Sequence, residues 1–535
     1  MSLLKKLRAL CQSAADRAAA RRRLAAVVLP ADLERIDALE QICREALDAL
    51  ETHRDSAKKL QRILFGPKTE KAKNICPPTD PPADPTGPKK KRKGHGRRGS
   101  RQYTGANQVQ VPHPKIMAGQ CCEECGRGKM RPQGRPAVVT RLEASPLVRA
   151  TVYTLEVWRC DTCGVTATAP PPPEAGTTKY ADNVGVAVSI ARYGGGLPNQ
   201  RLARLQEDFG VPMPEGTQWE LTKAAAQAPG VVLEELIRQT AQSSLVHNDD
   251  TGMRVQELRK SGSPTAAEID PQRTGTFTTS LIGTVAGHPV ALFFTGWKHA
   301  GENLADLLAQ RAPDLGAPIQ MCDALSRNLP KDFTTLLGLC LSHGRREFVD
   351  IHTAFPAECQ RVITALGEVY HFDAQAKKAR MDAEQRLKHH QTHSAPVMRE
   401  LKNWLDQQMD GHKVEPNSGL GKAINYLRQH WDPLTLFLRH AGAPLDNNIC
   451  ERALKMAILH RKNSLGYKTV EGARVGDLFM SLIQTCRLNR INAYQYLLAL
   501  VRNIAAVTRN PAAWLPWNYP THLTAERSAA APGVV

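Results

Sequence analysis

The chain has 535 residues, 42% of them hydrophobic, and a formal net charge of +19 from 71 basic and 52 acidic side chains. That length allows roughly three or four domains, one of them with a sizeable buried core, and the charge favours a polyanionic partner. No apolar run is long enough to span a bilayer and none reads as a secretory signal. The 13 cysteines are too unevenly placed for a secreted disulfide framework, so a reduced cytoplasmic protein is expected.

Residues 1–65 read as helix. Ile36, Cys43, Leu50, Ala57 and Leu64 recur every seventh residue, with Leu39, Ala46, His53 and Leu60 as a second seam. This predicts a coiled-coil arm that self-associates, or else an amphipathic helix folded back on its own chain. Residues 66–105 are a Pro-rich and basic linker. Seven prolines lie between Pro67 and Pro88, and eight basic and no acidic residues between Lys89 and Arg101. Lys89, Lys90, Lys91, Arg92, Lys93, Arg97 and Arg98 are the expected contacts to a phosphate backbone; the alternative is a solvated spacer.

Over 106–168, Cys122-Glu-Glu-Cys125 and Cys160-Asp-Thr-Cys163 form two knuckles separated by 34 residues. Each points two thiolates at one centre, and together they complete a tetrahedral Zn²⁺ site in a zinc ribbon. A redox dithiol is the alternative, without a thioredoxin-like context. After the stiff Pro170–Pro173 run, residues 169–242 read as a helical region. LARLQEDFG, VPMPEG and TQWELTKAAAQ have the length and turn chemistry of a helix-turn-helix, or of an ordinary helical hairpin.

From residue 243 the texture changes. SSLVHND is a short apolar strand, FTTSLIGTVAGHPVALFFTG a hairpin, AGENLADLLAQ a helix, APIQMCD another strand and LLGLCLSH a further apolar run. Strand, hairpin, helix, strand, helix, strand is the order of an RNase H-like core, whose first part spans 243–351. Its first and fourth strands are neighbours, so Asp249 and Asp323 would converge at adjacent strand ends. Residues 352–440, charged and His-rich, read as a helical insertion. Core helices follow over 441–515, with a flexible tail at 516–535. Glu451 sits early on a helix behind the cap-favoured Asp446, Asn447 and Asn448. The bland reading of Glu451 is an i,i+4 pair with Lys455, worth only about 0.3–0.5 kcal/mol. Two strand-borne aspartates and a helix-borne glutamate are the parts of a two-metal phosphoryl-transfer site.

ILFGPKTEK, GHGRR, the paired Cys-x-x-Cys motifs, KYADN, HNDDT, HGRREF, SGLGKAINYLRQHW, and DNNICERAL with HRKNSLGY, taken in this order, resemble the large transposase of the IS66 family of bacterial insertion sequences, a DDE transposase. The resemblance implies Asp249, Asp323 and Glu451 as catalytic ligands of two Mg²⁺ ions, with Mn²⁺ as an alternative. It implies DNA cleavage followed by joining of the freed 3′ ends to target DNA. The pattern His-x-Asp-x-Thr favours Asp249 over Asp250, although strand alternation alone does not decide. Asp323 is followed here by Ala324-Leu325 where the family has Gly-Tyr. Arg345, Arg346, Arg461 and Lys462 are candidate phosphate contacts. Double-stranded DNA, as element ends and target, is the expected partner. A homodimer or higher oligomer and small accessory proteins are further candidate partners, in a bacterial cytoplasm at the nucleoid. The whole is a multidomain α+β chain. The competing reading is a non-catalytic, zinc-containing DNA-binding or regulatory protein derived from a transposase.

Overall fold

The computed structural model of the chain describes residues 117–121, 125, 127, 129–131, 145, 147–159, 166–259 and 275–523. The coiled-coil arm, the basic linker and Cys122, Cys160 and Cys163 lie outside the described residues. The chain divides into two compact units: Leu341–Leu445 belongs to one, and all other described residues to the second.

The larger unit opens with two short antiparallel ladders. Strands β1 (Val157–Arg159) and β2 (Thr166–Thr168) pair with Val157 opposite Thr168. Cys121 bridges Lys129 in the same sense, with the Gly119 N–H donating to the Met130 carbonyl at 2.8 Å. In sequence, each ladder brackets one Cys-x-x-Cys pair. Four helices follow: α1 (Asp182–Ser189), running into a wide turn at Ile190–Gly194, then α2 (Asn199–Asp208), α3 (Glu215–Ala225) and α4 (Gln227–Thr240). The expected helix pair is α2 and α3. Buried Gln218 ties them together by donating to the carbonyls of Asn199 at 3.1 Å and Met213 at 3.0 Å.

A five-stranded mixed sheet comes next: β3 (Leu245–Gly252), β4 (Phe277–Val285), β5 (His288–Gly296), β6 (Ile319–Cys322) and β7 (Leu336–Leu339). Its order is β5-β4-β3-β6-β7, antiparallel from β5 to β3 and parallel from β3 to β7. The first and fourth strands of the sheet, β3 and β6, are therefore neighbours, as the sequence reading expected. The connection to β6 carries α5 (Ala300–Leu308). Between β6 and β7 there is only a short 3-10 turn at Ser326–Asn328, where the sequence order had anticipated a helix. The intervening segment contains Pro330, which supplies no N–H and breaks helical continuity.

The smaller unit is helical, and its described part begins at Leu341. It comprises α6 (Leu341–Ile351), α7 (Pro356–Lys378), α8 (Ala383–Asp410), α9 (Gly419–Gln429) and α10 (Trp431–Leu434). Val362, Leu366 and Val369 of α7, Leu401 and Leu405 of α8 and Leu427 of α9 are buried. Asp373, also buried, holds Arg386 at 2.6 Å, Lys377 at 2.7 Å and His390 at 3.4 Å. These groups hold its carboxyl well below the usual carboxylate range, against the opposing effect of its burial.

The larger unit closes with α11 (Asn448–Ser464), α12 (Val470–Leu488), α13 (Ala493–Arg502) and α14 (Ile504–Arg509). Helix α12 covers the free edge of β5 with polar side chains. Backbone N–H groups of Thr295, Phe293 and Ala291 donate to Asp477 at 2.6 Å, Ser481 at 2.9 Å and Thr485 at 3.0 Å. Four helical residues rise about 6 Å and two strand residues about 6.7 Å, so the two repeats stay in step over three contacts. An edge that would otherwise invite another strand is thereby satisfied. We expect Thr485→Val, which keeps the shape but leaves the Ala291 N–H buried and unpaired, to cost about 1–3 kcal/mol in urea unfolding. A loss below about 0.5 kcal/mol, the range of neutral surface changes, would mean the ladder does not hold the edge.

Candidate active site

Asp249 and Asp250 are successive residues of β3 and point to opposite faces of the sheet. The antiparallel register sets Asp249 opposite Ser280 and Asp250 opposite Thr279, and residues paired in this way share a face. Asn303 of α5 donates to the Thr279 hydroxyl at 2.8 Å, so Asp250 faces α5. Its carboxylate meets the His299 ring at 2.9 Å, the Ala300 N–H at 3.3 Å and Arg327 at 3.2 Å. Asp250 is thus committed to an ion-paired cluster. Asp249 lies on the other face, and its Oδ1 accepts the Asp250 N–H at 2.8 Å.

Asp323 is the residue after β6. The parallel register pairs His247 with Met321, so two residues further on Asp323 is level with Asp249, across a strand spacing of about 4.8 Å. Asp323 Oδ1 accepts the Leu325 N–H at 3.1 Å and a short hydrogen bond from the Asn328 side chain. Glu451 is the fourth residue of α11, a helix packed on β3 and β4.

The start of α11 is fixed by Asn447. This buried residue occupies the N-cap position, but its side chain caps nothing. Its Nδ2 donates to the Asn248 carbonyl at 3.0 Å, and its Oδ1 lies 3.0 Å from His247 Nδ1. With Oδ1 as acceptor, neutral His247 must carry its proton on Nδ1. Burial pushes the His247 ring down to about 4 against the pull of Asn447 and Asp446. The Glu451 N–H then bonds the Asn447 carbonyl at 3.1 Å. One helical turn separates the residue locked to β3 from Glu451.

Asp249 feels both partners. Burial first, then Asp323, Asp250 and Glu451, push its carboxyl up to about 7, with the Asp250 N–H pulling the other way. Beneath the acids runs a buried amide network that the sequence reading missed. The Asn328 carbonyl accepts from Asn248 and from Gln320, both at 2.7 Å, while Gln320 Nε2 also reaches Asn248 Oδ1 at 3.0 Å. The one available signal was the polar Gln320 inside the apolar run IQMC.

Other anticipated residues are more dispersed. Arg461 sits on the end of β3, donating to the Thr251 hydroxyl at 3.1 Å and to the Gly252 carbonyl. Lys462 is exposed, as are Arg452 and Lys455. Lys455 makes no ion pair among the described residues, so the bland i,i+4 pairing of Glu451 is not formed. Arg345 and Arg346 lie half-buried on α6 of the smaller unit. Of the four anticipated zinc ligands only Cys125 is described, and it is exposed.

The family model described as "Transposase IS66 family" matches residues 180–475 of this chain. Among curated proteins the chain is similar to the uncharacterized protein y4jD of Sinorhizobium fredii (strain NBRC 101917 / NGR234), 36% identical over 189 residues, 34% of this chain and 36% of that protein. It is also similar to the uncharacterized protein y4hP of the same strain, 24% identical over 452 residues, 78% of each chain. The chain therefore matches about a third of the first relative's length. No solved structure gives a significant match.

Proposed function

The chain belongs to the IS66 transposase family, and from that premise we propose that it is a DDE transposase whose catalytic carboxylates are Asp249, Asp323 and Glu451. What supports this reading is that Asp323 is level with Asp249 on the parallel neighbouring strand, and that Asp323 and Glu451, from the first turn of α11, both push the Asp249 carboxyl up. The order β5-β4-β3-β6-β7 supports an RNase H-like core. The donor set is all oxygen, and burial, followed by like charges, drives up the Asp249 carboxyl with no cation among its causes. Such a site fits a hard divalent cation such as Mg²⁺. When bound, a pair of such ions supplies an activated nucleophile and charge stabilisation at a DNA phosphodiester.

The protein's own part is placement. Asp249 and Asp323 stand side by side on the sheet, and Asn447 sets the helix turn that brings Glu451 to them. His247 stays neutral at pH 7 and adds no charge beneath the acids. Exposed Arg452, Lys455 and Lys462, with Arg345 and Arg346, supply attraction for phosphates. The cysteine pairs are read as a structural zinc ribbon, supported by the two short ladders that bracket them. Element ends and target DNA are the proposed partners, with the basic linker holding the backbone and the N-terminal arm joining protomers.

The test is incubation of the full chain with DNA carrying the element's own ends, with Mg²⁺ or with EDTA. Expected products are nicks exposing 3′-hydroxyls, and then joined molecules. Tight binding without cleavage in either Mg²⁺ or Mn²⁺ would overturn the reading in favour of a non-catalytic DNA-binding protein. In the same assay Asn447→Ala is expected to lower turnover about 10²-fold, as misplacement of a catalytic group by about 1 Å does, with DNA affinity within about twofold of the parent. Unchanged turnover would show that Asn447 does not position Glu451.

A further inference from the structure

A cavity of about 530 Å³ lies in the larger unit, at the far end of α11 from Glu451. Its volume falls in the ~300–1,000 Å³ range of small-ligand sites. The first turns of α2 and α3 open onto it through Gln200 and Gly216. Both helices have proline at the N-cap position and no side-chain cap, so their first N–H groups take no capping oxygen. Trp219 supplies an aromatic wall.

The charge at the cavity is not balanced within the fold. Arg192 and Lys468 line it, and neither makes an ion pair among the described residues. Arg192 Nε is buried without a hydrogen-bond partner, and its guanidinium lies over the Tyr193 ring, 5.1 Å from the centroid. Tyr467 is another lining residue. Glu215 is the carboxylate on the wall. Helix N-termini and unpaired cations suit a phosphate, and a tryptophan face beside amide side chains suits a base.

The cavity is tied to the acids. The Tyr467 N–H donates to the Arg254 carbonyl at 2.8 Å and its carbonyl accepts from Gln256 at 2.9 Å, on the segment that continues from β3. Along α11, Glu451 to Ser464 spans about 20 Å, or about six base-pair steps of 3.4 Å.

We propose that this cavity binds one unpaired nucleotide of a DNA strand, with its base against Trp219 and its phosphate at the first turns of α2 and α3 beside Arg192 and Lys468. The proposal rests on the DNA-processing reading above and adds to it a site for a strand opened some six pairs from the cleavage point. A duplex, with its bases stacked inside, cannot present a single base to a cavity of this size.

The test uses the full chain in EDTA, where no cleavage is needed. A single-stranded oligonucleotide carrying 5-iodouracil is cross-linked by ultraviolet light and the modified peptide identified by mass spectrometry. The expected peptide contains Trp219. Gly216→Leu should suppress this cross-link at least tenfold. A Cβ at Gly216 meets nothing within 4 Å, so the leucine fills the cavity without touching the core. Exposed Lys468→Ala should lower the yield about fivefold, and an abasic competitor should compete at least tenfold less well than an intact strand. Cross-links confined to other peptides, an unaffected Gly216→Leu variant, or competition by inorganic phosphate equal to that of the oligonucleotide would each overturn the proposal. A chain that cross-links at Trp219 but never cleaves with Mg²⁺ would sink the transposase reading instead, so the two failures are distinguishable.

Discussion

Glu451→Gln and Asp249→Asn are each expected to lower Mg²⁺-dependent cleavage by at least about 10³-fold, as loss of a group that works only as part of a catalytic unit does, while DNA affinity stays within about twofold. Both changes remove the charge of a proposed metal ligand and leave every basic side chain in place. Asp250→Asn is the control one residue away. The Asp250 carboxylate is buried against His299, Arg327 and the Ala300 N–H, so its neutralisation weakens charge-assisted bonds and should cost about 2 kcal/mol of stability. Asp249→Asn removes a carboxyl already pushed up by burial and by neighbouring acids, so its stability should be equal to the parent's or higher. Cleavage rates, gel shifts and thermal melts on the three variants separate these outcomes. If Glu451→Gln cleaves near the parent rate, Glu451 is not a ligand and the mechanism proposed here fails.

That adjacent aspartates have such different fates was not legible in the sequence. Alternation along LVHNDD assigns them to opposite faces, but identifying each face requires a partner strand and its register. Thr279 with Asn303 identifies one face, and α11 packed on β3 and β4 the other. What was legible is what rests on local pattern: the apolar strands carrying the acids, the hairpin turning at residues 286–289, the helix pair along 202–210 and 217–227, and Glu451 early in a helix. What was not legible is set by contacts between distant segments. Asn447 read as a cap, since asparagine before a helix normally is one. Its side chain instead spans about 200 residues of sequence to His247 and Asn248. Likewise the four-residue spacing of Asp477, Ser481 and Thr485 on α12 carries no sign in the sequence of the β5 N–H groups they accept from.

Divalent cations are expected to stabilise the larger unit strongly at pH 8 and little at pH 5. In the folded chain the Asp249 carboxyl is pushed up to about 7 from an ordinary 3.8. A carboxyl raised in this way binds more protons folded than unfolded. The stability it contributes is fully present below about pH 3.8 and is lost as pH rises through about 7. Three pKa units correspond to a ceiling of about 4 kcal/mol. A cation held between Asp249, Asp323 and Glu451 reverses this penalty, because it favours the charged form. Proton and cation therefore compete, and apparent cation affinity should fall about tenfold for each pH unit below 7, the limit for one displaced proton. Asp477 provides an internal reference. Burial raises its carboxyl to about 7 as well, but the other influences on it come from Thr295 and none from the three acids. Its share of the pH dependence should be the same with and without the cation. Thermal melts across pH 5–8 with Mg²⁺ or EDTA should show a cation-dependent shift that grows with pH in the parent and is absent in Asp249→Asn. A shift equal at pH 5 and pH 8, or one that persists in Asp249→Asn, would place the cation elsewhere and remove Asp249 from the site.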